Sequence, residues 1–73
     1  MEVRIGVAHA PREVVLESAE TTEAVLAAVS TAISKGTLLD LVDDKGRHVV
    51  VPGAQITFVE IGESAKGKVG FHN

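Results

Sequence analysis

The residues that come nearest to a chemical motif stand close to the C-terminus, where Gly62-Glu63-Ser64-Ala65-Lys66-Gly67-Lys68 fits the first seven positions of a phosphate-binding loop, G-x-x-x-x-G-K. In such a loop backbone N–H groups wrap the phosphates, the lysine reaches the terminal phosphates, and a Ser or Thr at the eighth position holds Mg²⁺. Val69 fills that eighth position, and the five residues after Lys68 are too few to build the helix whose N-terminus must face the anion. Gly62, Lys66, Gly67 and Lys68 are therefore candidate cofactor-binding residues of a near-miss motif. The simpler reading is a glycine-rich, cationic tail, and no cofactor is expected.

The other chemistry-bearing residues fall into structural roles. Asp40, Asp43 and Asp44 lie close together, but the calcium-loop pattern of acids at positions one, three and five with a closing Glu is not met. Asp43 and Asp44 read as turn formers and Asp40 as an outward strand residue. His9, His48 and His72 have no histidine four residues away and no cysteine neighbour, so no metal site is expected. Ser18, Ser30, Ser34 and Ser64 occupy cap, helix and tail contexts without a nucleophile elbow. A chain this short encloses little of the ~300 Å³ that a substrate pocket needs. The expectation is a protein with no catalytic residues, not an enzyme.

The elements that carry these residues can be read from periodicity. Val3, Ile5 and Val7 alternate with Glu2, Arg4 and Gly6, which predicts a half-buried strand. Pro11 interrupts the pattern, and Arg12 to Glu17 resumes it around Val14, Val15 and Leu16, making a hairpin. Thr21 is the predicted N-cap of a helix from Thr22 to Lys35, with Val25, Val29, Ala32 and Ile33 on its inward stripe, Ala24 and Ala28 widening it, and Gly36 as its stop. Thr22, Glu23, Ser30 and Thr31 belong to its outer side.

Leu38 to Val42 and Arg47 to Val51 form a second hairpin. Its Asp43-Asp44-Lys45-Gly46 loop suits a type I turn closed by a glycine with positive φ. The last strand, Gln55 to Ile61, is apolar on both faces, which predicts a central position or a subunit contact. The order β-β-α-β-β-β defines an α+β domain over residues 1–61, a mostly antiparallel sheet with one helix on one face, followed by a glycine-rich tail over residues 62–73. Val14, Leu38 and Ile61 are candidates for the sheet face that the helix leaves uncovered. Glu13, Glu17 and Glu60 read as solvated sheet positions, with Arg4, Arg12 and Arg47 as cross-strand partners.

Composition narrows the partners. The 73 residues make one core, without cysteine for disulfides, and the small size favours self-association, a dimer first. Phe58 and Phe71 are the only aromatics and the net charge is −3, which disfavours nucleic acid. Glu2 stands where a signal peptide would be positive, nothing approaches a membrane span, and a cysteine-free chain suits the cytoplasm.

Met1 to Gly6 (MEVRIG), Arg12 to Ser18 (REVVLES), Asp43 to Pro52 (DDKGRHVVVP), and ITFVEIG with KVGF between Ile56 and Phe71 together resemble a family of small actinobacterial proteins classed as a domain of unknown function. The likeness covers nearly the whole chain, and members are sometimes labelled ATP-binding. It implies a cytoplasmic setting and no established activity, and carries over no functional residue. The expected function is a non-catalytic interaction or regulatory module that self-associates. The alternative is a small-ligand or nucleotide-binding regulator in which Lys66, Lys68 and backbone amides of the Gly62–Gly70 tail hold an anion.

Overall fold

In the computed structural model, which describes residues 1–63, the order is β1 (Glu2–Val7), β2 (Val14–Glu17), α1 (Thr22–Lys35), β3 (Leu38–Val42), β4 (His48–Pro52), a 3-10 turn (Gly53–Gln55) and β5 (Ile56–Gly62). This is the α+β arrangement that the sequence predicts. All strand pairs are antiparallel: β1 lies between β2 and β5, and β3 pairs with β4. The two sheets join where Ser18 bridges Asp43 and Asp44 N–H donates to Glu17 C=O at 2.8 Å.

Alternation in β1 sends Val3 and Ile5 inward, against Leu16 of β2, Val25, Val29 and Ala32 of α1, and Leu39, Leu41 and Val51 of the β3–β4 hairpin. The helix packs on β3 and the 3-10 turn. It starts where Thr21, in extended conformation, accepts the Ala24 N–H on Oγ1 at 3.1 Å. Its stop is Gly36, left-handed at φ 66°, whose N–H returns to Ala32 C=O. Thr21→Ala is expected to cost about 1 kcal/mol, read as a lower urea midpoint with an unchanged slope. The Asp43–Gly46 turn also forms as expected, with Gly46 at φ 81° and its N–H on Asp43 C=O at 3.1 Å.

Four expectations need correction. The strand β2 begins at Val14, because Arg12 and Glu13 belong to the loop. Ile33 is half exposed, since the narrow surface under α1 is filled by Val25, Val29 and Ala32, with Ala28 beside them. Val14 and Ile61 pack on the core, leaving only Leu38 of the three named residues outside. Finally, β5 is not central but lies at the sheet's edge, paired with β1 only.

Its apolar pattern has a local cause. The register runs from Glu2–Gly62 to Gly6–Phe58 and then slips to Val7–Ile56, leaving Thr57 as an extra residue. This bulge lets Ile56 join Val59 and Ile61 against the core, while Phe58 and Glu60 turn outward.

Candidate functional site

Among the described residues the candidate surfaces are the outward sides of the two sheets, the groove at their junction and a shallower groove between α1 and β3. On the three-stranded sheet, the residues facing away from the core are Glu2, Arg4 and Gly6 of β1, Val15 and Glu17 of β2, and Phe58, Glu60 and Gly62 of β5. Arg4 stands in the middle, its guanidinium 3.0 Å from Glu13 and 3.4 Å from Glu2, with Glu60 directly opposite in register. Glu13 thus finds the cationic partner expected for it. Gly6 is buried although it lies on this outer face, because Phe58 and Thr57 close over it; a Cβ there would stand 2.6 Å from Thr57 Oγ1 and inside the edge of the Phe58 ring.

On the β3–β4 hairpin the outward set is Leu38, Asp40, Val42, His48, Val50 and Pro52. Leu38 is 65% exposed and Val50 50%. Asp40 Oδ1 lies 2.8 Å from His48 Nδ1 across the strands, so the aspartate is an outward strand residue as expected and the histidine is its neighbour. His9 occupies the β1–β2 turn in a left-handed conformation, φ 65°.

An open groove of about 490 Å³ runs between the outer edge of β2 and the β3–β4 turn, lined by Val15, Glu17, Asp44, Lys45, Arg47 and His48 among others. Asp43 organises its floor. Its carboxylate accepts from the Arg47 N–H at 2.8 Å, the Lys45 N–H at 2.9 Å and Arg47 Nε at 2.8 Å. Arg47 is thereby tied to the turn.

These contacts, the Arg47 N–H first, hold the Asp43 carboxyl below its usual range against the opposing effect of burial. The native state therefore favours the ionised form. The turn's contribution is complete above the ordinary Asp value of about 3.9 and is lost as pH falls through the lowered native value. Urea midpoints measured between neutral pH and strong acid should fall on the acid limb, and Asp43→Asn should flatten that part of the profile.

Of the sequence candidates, Gly62 ends β5 with open space around it, while Lys66, Gly67 and Lys68 lie outside the described residues. Asp40, Asp43 and Asp44 do not converge on one point: the first faces outward, the second is buried in its turn, and the third joins the sheets through its N–H. Among the described residues no group of three or more His, Asp or Glu side chains could hold a metal ion, and no helix is long and apolar enough to cross a membrane. The Gly6–Phe58 contact escaped the sequence reading. Its signal was present in a glycine interrupting an alternating strand, which marks close approach of another group.

The fold and surfaces define a small α+β domain with open sheet faces and no assembled catalytic centre among the described residues. Residues 1–72 match the family described as "Protein of unknown function (DUF3107)", and the chain belongs to that family. No curated protein matches it.

Proposed function

We propose that the chain is a non-catalytic protein-interaction module that works as a self-associated unit, in its simplest form a dimer. One observation carries the reading: six large apolar side chains, Val15, Leu26, Ile33, Leu38, Val50 and Phe58, stand about half exposed on a domain with a small core. Scattered exposed apolar residues need no explanation, but Leu38, Val50 and Pro52 are neighbours on one hairpin face, where a contact would remove them from water. The hairpin face is the surface offered to a partner protein, and the cysteine-free composition suits a cytoplasmic setting. Sedimentation equilibrium from micromolar to millimolar concentration should show reversible dimers. A monomer across that whole range would end this reading.

A second reading has support from β5, which delivers a strand end at Gly62 at the start of the G-x-x-x-x-G-K segment, as a phosphate loop requires. On it, the chain is a regulator that holds a small anion or nucleotide through Gly62, Lys66, Gly67 and Lys68. ATP with Mg²⁺, or inorganic phosphate, would then raise the melting temperature, and Lys68→Ala would abolish the rise. No shift with either ligand would dismiss it.

A further inference from the structure

The hydrogen-bonding directions of the strands single out one edge of the fold. Met1 and Ser18 exchange both backbone bonds, the Ser18 N–H to Met1 C=O at 2.8 Å and the Met1 amine to Ser18 C=O at 3.2 Å. Because an antiparallel ladder alternates, Val3 and Ile5 also direct their backbone groups toward β2, and Arg4 and Gly6 direct theirs toward β5. On β5 it follows that Phe58, Glu60 and Gly62 face β1, while the N–H and C=O groups of Val59 and Ile61 point away from the sheet. Among the described residues none takes those groups as a partner.

The other edges are guarded. On β2 the outward C=O of Glu17 is taken by Asp44, on β4 an outward position is Pro52, which has no N–H, and β3 carries Asp40 at an outward position and runs beside α1. β5 is the longest strand, and within it Glu60 is the single charge, with no lysine or proline. An edge of this kind is matched by another strand, and the same edge on a second copy has the matching pattern of donors and acceptors.

We propose that the outer edge of β5 is the contact through which two copies of this chain associate, strand against antiparallel strand across a two-fold axis, joining their three-stranded sheets into one. The inference rests on the self-association reading above and names the surface that performs it. Charge sets the register. Centring the axis on Glu60 would set two glutamates directly opposite with Cβ atoms about 4.5–5.5 Å apart, a destabilising like-charge pair, so the axis passes at Val59 or Ile61, setting Glu60 opposite Phe58 or Gly62 of the second copy. The bulge at Thr57 bends the strand and closes the pairing at that end. The hairpin face of Leu38 and Val50 lies on the other sheet and stays open to a partner protein.

Amide hydrogen exchange followed by NMR on the full chain, with sedimentation on the same samples, tests this. Exchange at Val59 and Ile61 should slow with concentration, by about tenfold when nine-tenths of chains are dimeric, while that of Leu38 and Val50 stays constant. Ile61→Pro removes an outward N–H and none of the bonds to β1 and should lose the dimer, while Ile61→Ala, which takes the same side chain off the core but keeps that N–H, should retain it. A dimer whose Val59 and Ile61 amides exchange freely would overturn the β5 contact and leave self-association standing. Protection of those amides that does not change with concentration would overturn it in favour of cover from within one chain. A monomer at every concentration would remove both.

Discussion

Ile5→Ala lowers the unfolding free energy by about 2–5 kcal/mol, at the upper end of that range. Ile5 is fully buried in the central strand, with Val14 beside it on β2 and Val59 on β5, and shares one core with the buried side chains of α1 and the β3–β4 hairpin. A cavity at this point is held open from three sides, because the flanking strands are fixed by their ladders to β1 itself. Relaxation is therefore small and the cavity contribution large. A chain of 73 residues has of the order of 4–11 kcal/mol in total, so the variant should approach the edge of stability. Each kcal/mol lost lowers the melting temperature by about 4–8 °C in a domain of this size. Val50→Ala, on the outer hairpin face, is the matched control and should change stability by no more than about 0.5 kcal/mol.

What the sequence made legible was local. The cap at Thr21, the stop at Gly36 and the glycine-closed Asp43–Gly46 turn depend on residues within a few positions of one another, and each forms as read. The position of β5 was different in kind. Apolar residues at 56, 59 and 61 are separated by three and then two, and simple alternation assigns them to opposite faces. A bulge puts them on one face, and its place is set by β1, some fifty residues away in the chain.

Ile33 misled for a related reason. Helical periodicity states which residues share a stripe but not how wide a surface the rest of the fold offers beneath it. The candidate surface was least legible because pairings such as Arg4 with Glu13, Asp40 with His48 and Gly6 with Phe58 need registers that no single strand encodes.

Gly53→Ala is the second large expected loss, about 3 kcal/mol, and its origin is backbone meeting backbone. A Cβ at Gly53 would stand 2.6 Å from both the Ala32 carbonyl carbon and the Thr37 carbonyl oxygen. Neither can step aside. The Ala32 C=O accepts from Gly36 and, at 3.1 Å, from Thr37 as the helix ends, and the Thr37 C=O accepts the Gly53 N–H at 2.8 Å. A flexible side chain would rotate away from an added methyl group, but here relief requires lifting the 3-10 turn off α1. That breaks the Gly53–Thr37 bond and loosens the seam between helix and hairpin. The substitution should therefore depress the urea midpoint and shift the backbone resonances of Ala32, Thr37 and Gln55 together, with the β1–β2 pair unaffected. Gly62→Ala, where an added methyl group meets nothing within 4 Å, should leave the midpoint unchanged. Equal losses at the two glycines would mean that this close approach does not govern the loss at Gly53, because backbone entropy alone makes Gly→Ala neutral or stabilising at a compatible site.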